Sequence, residues 1–299
     1  MRVAITGAGG RLGSALLEAF RPAAGVELAA WTRREFDLDD PASIHDLVRL
    51  NRPDVVVHAA AWTDVDGCAR EPDLAMARNG DATRVVAEAC AEAGTCLIVV
   101  STNEVFDGKR TDGQGYAAGD QVSPANPYGR SKLAGEQAAM LAYSAPNGNS
   151  AGHPGLAIVR TAWLFGSGKP DFPTRIALAA RQASIDGRPL RVVTDEVGCP
   201  TYVRDVAEAI VDLSRADFQG IHHVVNSGRA SRAEWAQDVL ARLGITVSIE
   251  EINLADFQRP SRPPQWGVLE PTPLPSGPLR PWQAAMADRI SDLQSALTS

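Results

Sequence analysis

A tyrosine and a lysine four residues apart, Tyr128 and Lys132, are the pair in this sequence best suited to moving a proton. That spacing puts both side chains on one face of a helix, and Pro127 suits the first helical position just before them. A phenol, with an ordinary pKa of about 10, is a poor proton donor near neutrality. A neighbouring ammonium stabilises the phenolate and lowers that pKa, which makes proton exchange with a carbonyl oxygen feasible. As a bare motif the pair describes any amphipathic helix face, so its position matters. The apolar run Cys96-Leu-Ile-Val-Val-Ser101 before it reads as a strand that ends in Ser101-Thr102. Ligands bind at the carboxyl edge of such strands, where the Thr102 hydroxyl can reach the same carbonyl oxygen. Thr102, Tyr128 and Lys132 form the candidate catalytic set.

A second constellation opens the chain. Gly7, Gly10 and Gly13 in Thr6-Gly-Ala-Gly-Gly-Arg-Leu-Gly13 fit GxxGxxG between a strand-like run and a helix-like one. Missing side chains allow a tight turn, close backbone approach to a pyrophosphate and close helix–strand packing, and the helix N-terminus offers free N–H groups. Gly9, Arg11 and Leu12 complete the candidate phosphate contacts, and Lys132 can hold the nicotinamide ribose. An acid about 20 residues on normally marks NAD. The second strand ends instead in Trp31-Thr-Arg-Arg34, and Arg33 suits a 2′-phosphate, which favours NADPH while leaving NADH open.

Stepping from these residues to what must hold them, short apolar runs alternate with Ala-rich helical stretches. Strands are expected at Val3–Thr6, Val26–Trp31, Asp54–His58, Cys96–Ser101 and Leu156–Arg160. Helices are expected at Leu12–Phe20, Pro41–Leu50, Asp73–Ala93 and Pro127–Ala142. Continuous apolar strands between helices imply a parallel sheet covered on both faces, a Rossmann-type doubly wound α/β domain. Ser144–Gly155 reads as a surface loop. Later helices are expected at Arg175–Ala183, Val203–Leu213, Arg232–Leu243 and Trp282–Leu297. They imply a smaller α/β substrate lobe, with a division at 1–165 and 166–299 and the lobes interleaved. Arg259–Pro281 holds eight of the 20 prolines and is expected to wrap the surface irregularly.

Hydrophobic residues are 44% and charged residues 22%, an ordinary globular composition. A formal charge of −7 argues against nucleic acid as a main partner. No apolar run approaches the roughly 20 residues of a membrane span. The chain opens on a strand-like run, and Cys68, Cys90, Cys96 and Cys199 are scattered as reduced thiols would be, so a cytoplasmic protein is expected. The five histidines are dispersed, and His222-His223 on a strand would point to opposite faces, so no metal site is expected.

Taken together, the glycine cradle, His58-Ala-Ala-Ala61, Ser101-Thr102 and YxxxK resemble the extended short-chain dehydrogenases. Longer stretches resemble one branch, the dTDP-4-dehydrorhamnose reductases. These stretches are Pro53-Asp-Val-Val-Val-His-Ala-Ala-Ala-Trp-Thr-Asp-Val-Asp66, Ser101-Thr-Asn-Glu-Val-Phe-Asp-Gly108, Arg160-Thr-Ala-Trp-Leu-Phe165, Asp195-Glu-Val-Gly-Cys-Pro-Thr201 and Arg262-Pro263. The resemblance implies hydride transfer to C4 of a nucleotide-linked 4-keto-6-deoxyhexose, such as dTDP-4-dehydro-L-rhamnose giving dTDP-L-rhamnose. Carried across, Tyr128 donates the proton, Lys132 modulates it and Thr102 bonds the carbonyl. Ala59, Ala60 and Ala61 pass under the cofactor, Ser101 lies beside it and Asp37 and Leu38 flank the adenine. Thr63, Val65, Glu104 and Trp163 line the sugar site, and Arg262 grips the diphosphate. Trp163 also reads as core packing, and Arg262 as an exposed arginine in a proline loop.

One departure stands out. The family usually reads Ser-Thr-Asp-Tyr-Val-Phe, and here Asn103 and Glu104 replace the Asp-Tyr pair, so another 4-keto sugar is a second reading. A third is a non-catalytic NADP-binding regulatory subunit resembling the partner of a methionine adenosyltransferase, which would not require the Thr–Tyr–Lys set. An epimerase or dehydratase would want an acid pair beside the threonine, of which only Glu104 is present. The resemblance leaves the nucleotide, the product configuration and a homodimer open.

Overall fold

The computed structural model describes residues 1–144, 155–215 and 219–298, with side chains described as far as residue 294. The Ser144–Gly155 loop therefore lies almost wholly outside the described residues. The first half runs β1 (Arg2–Thr6), α1 (Arg11–Phe20), β2 (Glu27–Trp31), α2 (Ser43–Asn51), β3 (Val55–His58), α3 (Val65–Arg70) and α4 (Pro72–Ala75). A π-helical segment, Met76–Asp81, then leads into α5 (Ala82–Glu92), β4 (Cys96–Thr102), α6 (Pro127–Ser144) and β5 (Leu156–Thr161). After these come β6 (Leu164–Phe165), α7 (Phe172–Ile185), β7 (Leu190–Val193), β8 (Val197–Gly198) and β9 (Thr201–Tyr202). The chain finishes with α8 (Val203–Arg215), β10 (Gly220–His223), β11 (Ala230–Ser231), α9 (Arg232–Leu243), β12 (Ile249–Ile252) and α10 (Trp282–Thr298).

Six strands form one parallel sheet in the order β10-β5-β4-β3-β1-β2. Every residue of β3 is buried, as a strand covered on both faces requires. Val3, Ile5 and Val57 pack with Leu16, Phe20, Val206 and Ile210 on one face. Val56, Leu97 and Val99 pack with Ile44, Val48, Val86 and Ala139 on the other. Each such side chain stabilises the fold by roughly 1.5–3 kcal/mol. The chain leaves β1 for β2 on one side and continues at β3 on the other, so a crevice opens between the loops after β1 and β3. Open α/β sheets bind their ligands at such a switch point.

Both α8 and β10 return to this sheet, α8 packed on its face and β10 at its edge. A separate core gathers Trp235, Phe165, Tyr202, Ala236, Met286 and Leu293 from α7, α9, α10 and their neighbours. The proline-rich stretch is irregular and keeps mostly to the surface, as expected, but dips into the core around residues 267–269. Val268 and Leu269 are buried with Phe106 and Tyr116, and the backbone bonds both Gly108 and Val197.

Candidate active site

The loop after β1 is built around its glycines. Gly7 has φ +64°, and a Cβ there would lie 2.8 Å from the Ala60 Cα, so the two crevice loops touch through a missing side chain. A Cβ on Gly13 would stand 2.1 Å from the Gly7 carbonyl oxygen. Gly10 caps α1 without a side-chain bond, which leaves its first N–H groups for a ligand. Gly9 faces open space. These features suit a pyrophosphate laid against the backbone. Leu12 points into the core. The Arg11 guanidinium is taken by the Gly166 and Lys169 carbonyls and faces Asp171, so it joins the cradle to the loop before α7.

At the tip of β2, Arg33 is exposed and paired with Asp37 at 3.2 Å and Asp39 at 3.3 Å. Asp39 is gripped in turn by Arg78. A 2′-phosphate reaching Arg33 would compete with two carboxylates. Leu38 packs partly against the sheet. Ala59, Ala60 and Ala61 follow β3 half-buried, and Thr6 Oγ1 accepts from the Ala60 N–H at 3.2 Å.

Thr102 ends β4, and Tyr128 and Lys132 lie in the first turns of α6; Tyr128 is 9% exposed and Lys132 3%. The expected lowering of the phenol pKa is not found. Burial raises it above the usual tyrosine value and the Glu104 carboxylate adds to that, while a hydrogen bond from Thr102 works the other way. The phenol is thus held as a neutral proton donor. Burial lowers the Lys132 ammonium to about 8, against the pull of Glu136. The Thr102 hydroxyl accepts from the Glu104 N–H at 3.2 Å.

Ser101 is spent elsewhere: its hydroxyl donates to Glu136 at 2.5 Å. Glu136 is fully buried and also binds the Arg160 guanidinium at 2.7 Å, pinning α6 to β4 and β5. Glu104 is half-buried, and Oε2 accepts from Asn126 Nδ2 at 2.6 Å. Asn126 caps α6 through the Gly129 N–H and donates to the Arg262 carbonyl. Asn103 turns away and donates to the Gly267 carbonyl. Trp163 has φ +43°, covers Gly198, and carries the Arg232 guanidinium 3.5 Å from its ring centre. It also stacks on Trp235, so the core-packing reading holds for this ring. Val65 packs beside Tyr128, whereas Thr63 is exposed. Arg262 is exposed, with no ion pair among the described residues. Thr201 is buried, donating to the Cys199 carbonyl.

Asn79, Asn126, Glu136 and Arg232 lie in none of the motifs, and Glu196 lies inside the Asp195–Thr201 stretch with no role assigned to it. Only Glu136 had a cue, one turn beyond Lys132 on the same helix face. Asn79, on the π-helical segment, bonds the Trp62 N–H, the Trp62 carbonyl and Ser131 Oγ. Among the described residues no group of three or more His, Cys, Asp and Glu side chains could hold a metal ion, and no helix is long and apolar enough to cross a membrane.

A dinucleotide cradle at the switch point, with a hydroxyl, a phenol and an ammonium at the same sheet edge, defines an NAD(P)H-dependent oxidoreductase of Rossmann type. Residues 1–295 match the family described as "RmlD substrate binding domain", and the chain belongs to that family. It is 38% identical over 305 residues to dTDP-4-dehydrorhamnose reductase of Mycobacterium tuberculosis, covering 97% of this chain and 92% of that one. A crystal structure of dTDP-4-dehydrorhamnose reductase from Bacillus anthracis in complex with NADP superposes with a TM-score of 0.85 at 28% identity, covering 97% of this chain and 99% of that one. The Clostridium acetobutylicum ortholog gives 0.87 at 28% identity, over 98% and 100%.

Proposed function

We propose that this protein reduces the 4-keto group of a dTDP-linked 6-deoxyhexose with NADPH, and that dTDP-4-dehydro-L-rhamnose is its substrate. The observation that carries this reading is the buried Tyr128 at the start of α6 with Thr102 at the end of β4, at the edge of an open dinucleotide cradle. Bound in that cradle, NADPH supplies the hydride. Thr102 donates its hydroxyl hydrogen to the carbonyl oxygen and Tyr128 delivers the proton that the forming alkoxide takes up. Lys132, largely charged at neutral pH, stabilises the phenolate left behind and holds the ribose. The name of the mycobacterial relative and the NADP held by the B. anthracis protein support the same reading.

The test is NADPH and NADH oxidation with dTDP-4-dehydro-β-L-rhamnose. Turnover that falls by about 10²–10⁴-fold in Tyr128→Phe is the expected result. Wild-type protein that binds NADPH but does not turn over would sink it. A second reading, reduction of a different dTDP-4-keto sugar, is favoured by Glu104, a carboxyl where the family usually has a tyrosine. Turnover of such a sugar in preference to the rhamnose precursor would establish it.

A further inference from the structure

We propose that Asp66 is a positioning residue of this site: one oxygen of its carboxylate ties down residues 259–267 as the outer wall of the ketone site, and that tether sets how tightly the sugar nucleotide is held. The proposal rests on the reductase reading and deepens it. Asp66 stands in the first turn of α3, one residue beyond Val65, which packs beside Tyr128. An acid there usually serves its own helix, but Asp64 already caps α3 by accepting from the Gly67 N–H at 3.0 Å. The Asp66 carboxylate turns instead to the proline-rich stretch. Its Oδ1 accepts from Arg259 Nε at 3.0 Å, from the Ser261 N–H at 3.1 Å and from the Ser261 hydroxyl at 2.5 Å. Ser261 is 3% exposed, although Pro260 and Arg262 on either side of it are exposed. A buried hydroxyl needs a partner, and Asp66 supplies it.

Two further stitches bind the same segment to the residues around the candidate catalytic set. Asn126 caps α6 two residues before Tyr128 and donates to the Arg262 carbonyl at 3.1 Å. Asn103, next to Thr102, donates to the Gly267 carbonyl at 3.1 Å. The segment thus lies against α3, the start of α6 and the end of β4 at once, where Val65, Tyr128 and Thr102 stand. Its far side belongs to the second lobe. The Val197 N–H donates to the Gln265 carbonyl and the Gly267 N–H to the Val197 carbonyl, both at 2.7 Å. Residues 265–267 are therefore held by β8 whatever happens at Asp66. Residues 258–261 make no hydrogen bond except those to Asp66 among the described residues, and residues 255–258 before them are exposed. Asp66 alone decides whether this part of the wall stands ready before substrate arrives. A wall ordered in advance costs the incoming ligand little conformational entropy, whereas a loose one is ordered only on binding. The difference falls on KM, because the places of Thr102, Tyr128 and Lys132 do not depend on the tether.

The test compares wild type, Asp66→Ala, Asp66→Asn and Ser261→Ala with NADPH and a dTDP-4-keto-6-deoxyhexose, and follows amide hydrogen exchange of residues 257–262 without ligand. Asp66→Ala should raise KM for the sugar roughly tenfold, keep kcat within roughly twofold and speed exchange of the Ser261 amide. Asp66→Asn keeps an oxygen for Ser261 and should recover most of the loss. Ser261→Ala removes one bond of the three and should raise KM about threefold. NADPH binding by fluorescence serves as the folding control, because none of these residues lines the glycine cradle; should Asp66→Ala fail it, Ser261→Ala decides. A variant to alanine that binds NADPH and keeps the wild-type KM overturns the proposal, as does one that loses kcat alone or an asparagine variant no better than alanine. If the wild type turns over no such sugar, the reductase reading falls and this proposal with it. Unchanged exchange at Ser261 in Asp66→Ala, with turnover intact, overturns the tether alone, so the two failures are distinguishable.

Discussion

Glu136 carries three duties on one carboxylate: it accepts from Ser101, accepts from the Nε–Nη2 edge of the Arg160 guanidinium and keeps the Lys132 ammonium from losing more of its proton affinity. Removing its charge strands a buried guanidinium, which typically costs about 3–5 kcal/mol. Glu136→Gln should therefore lower the thermal midpoint. It should also move the alkaline loss of activity, which follows Lys132, to below about 8. A variant with unchanged melting and an unchanged pH limit would show that Arg160 finds another countercharge. At this scale the sequence was informative where a motif carries chemistry and mute where a role depends on a neighbour. Thr102, Tyr128 and Lys132 were legible as a set. The direction of the Tyr128 shift was not, because burial and the facing carboxylate of Glu104 outweigh the helix neighbour that the spacing suggests.

The helix expected from Asp73 to Ala93 is a rod interrupted by a π-helical segment, Met76–Asp81. The wider turn takes in one extra residue per turn and aims Asn79 at the crevice, where its amide bonds both backbone groups of Trp62 and the hydroxyl of Ser131, next to Lys132. Two of these bonds fix the segment that follows Ala61 and the third ties it to α6, at about 1 kcal/mol each. Asn79→Ala should destabilise the protein by about 2–4 kcal/mol and weaken NADPH binding; calorimetry and a fluorescence titration check the two effects. Full NADPH affinity in a destabilised variant would limit Asn79 to a packing role. The run Arg78-Asn79-Gly80-Asp81 breaks the apolar pattern, but the small residues on either side keep helical spacing, so periodicity does not tell a wider turn from an ordinary one. Other elements were close to expectation, α9 at Arg232–Leu243 to the residue, because Ser231 and Glu234 form a capping box and Gly244 ends the helix in the left-handed region.

Across the whole molecule, two buried histidines tie stability to pH. His58 lies between Thr6 and Thr83 beneath the crevice, and burial, helped by the Lys132 charge, lowers it to about 3. His223 lies at the end of β10, lowered to about 4 by burial and the Arg160 charge. Each is neutral in the folded chain and takes up a proton more readily when unfolded. Their contribution is present above the ordinary histidine value of about 6.5 and is lost as pH falls toward 4, at about 1.4 kcal/mol per pH unit for each. Denaturant unfolding at about pH 7 and about pH 5 should show this loss, and His58→Gln should reduce the slope of stability against pH. An equal slope in that variant would mean that its imidazole is not neutral in the fold.

By itself the sequence determined the parallel α/β sheet, the glycine turn after β1 and the family, and it picked out Thr102, Tyr128 and Lys132 as the candidate set. Each is written in local spacing: apolar runs long enough to be covered on both faces, glycines where a Cβ would strike backbone, a four-residue helix repeat. Tertiary structure decided whatever depends on segments far apart in the chain. It buried residues 267–269 within a stretch that otherwise keeps mostly to the surface, and turned Ser101 to Glu136 and Arg11 to the loop before α7. It also set Glu104 against Tyr128 under Asn126 and the proline-rich stretch. Charge, burial and hydrogen-bond partners at such places come from packing, and no run of neighbouring residues encodes them.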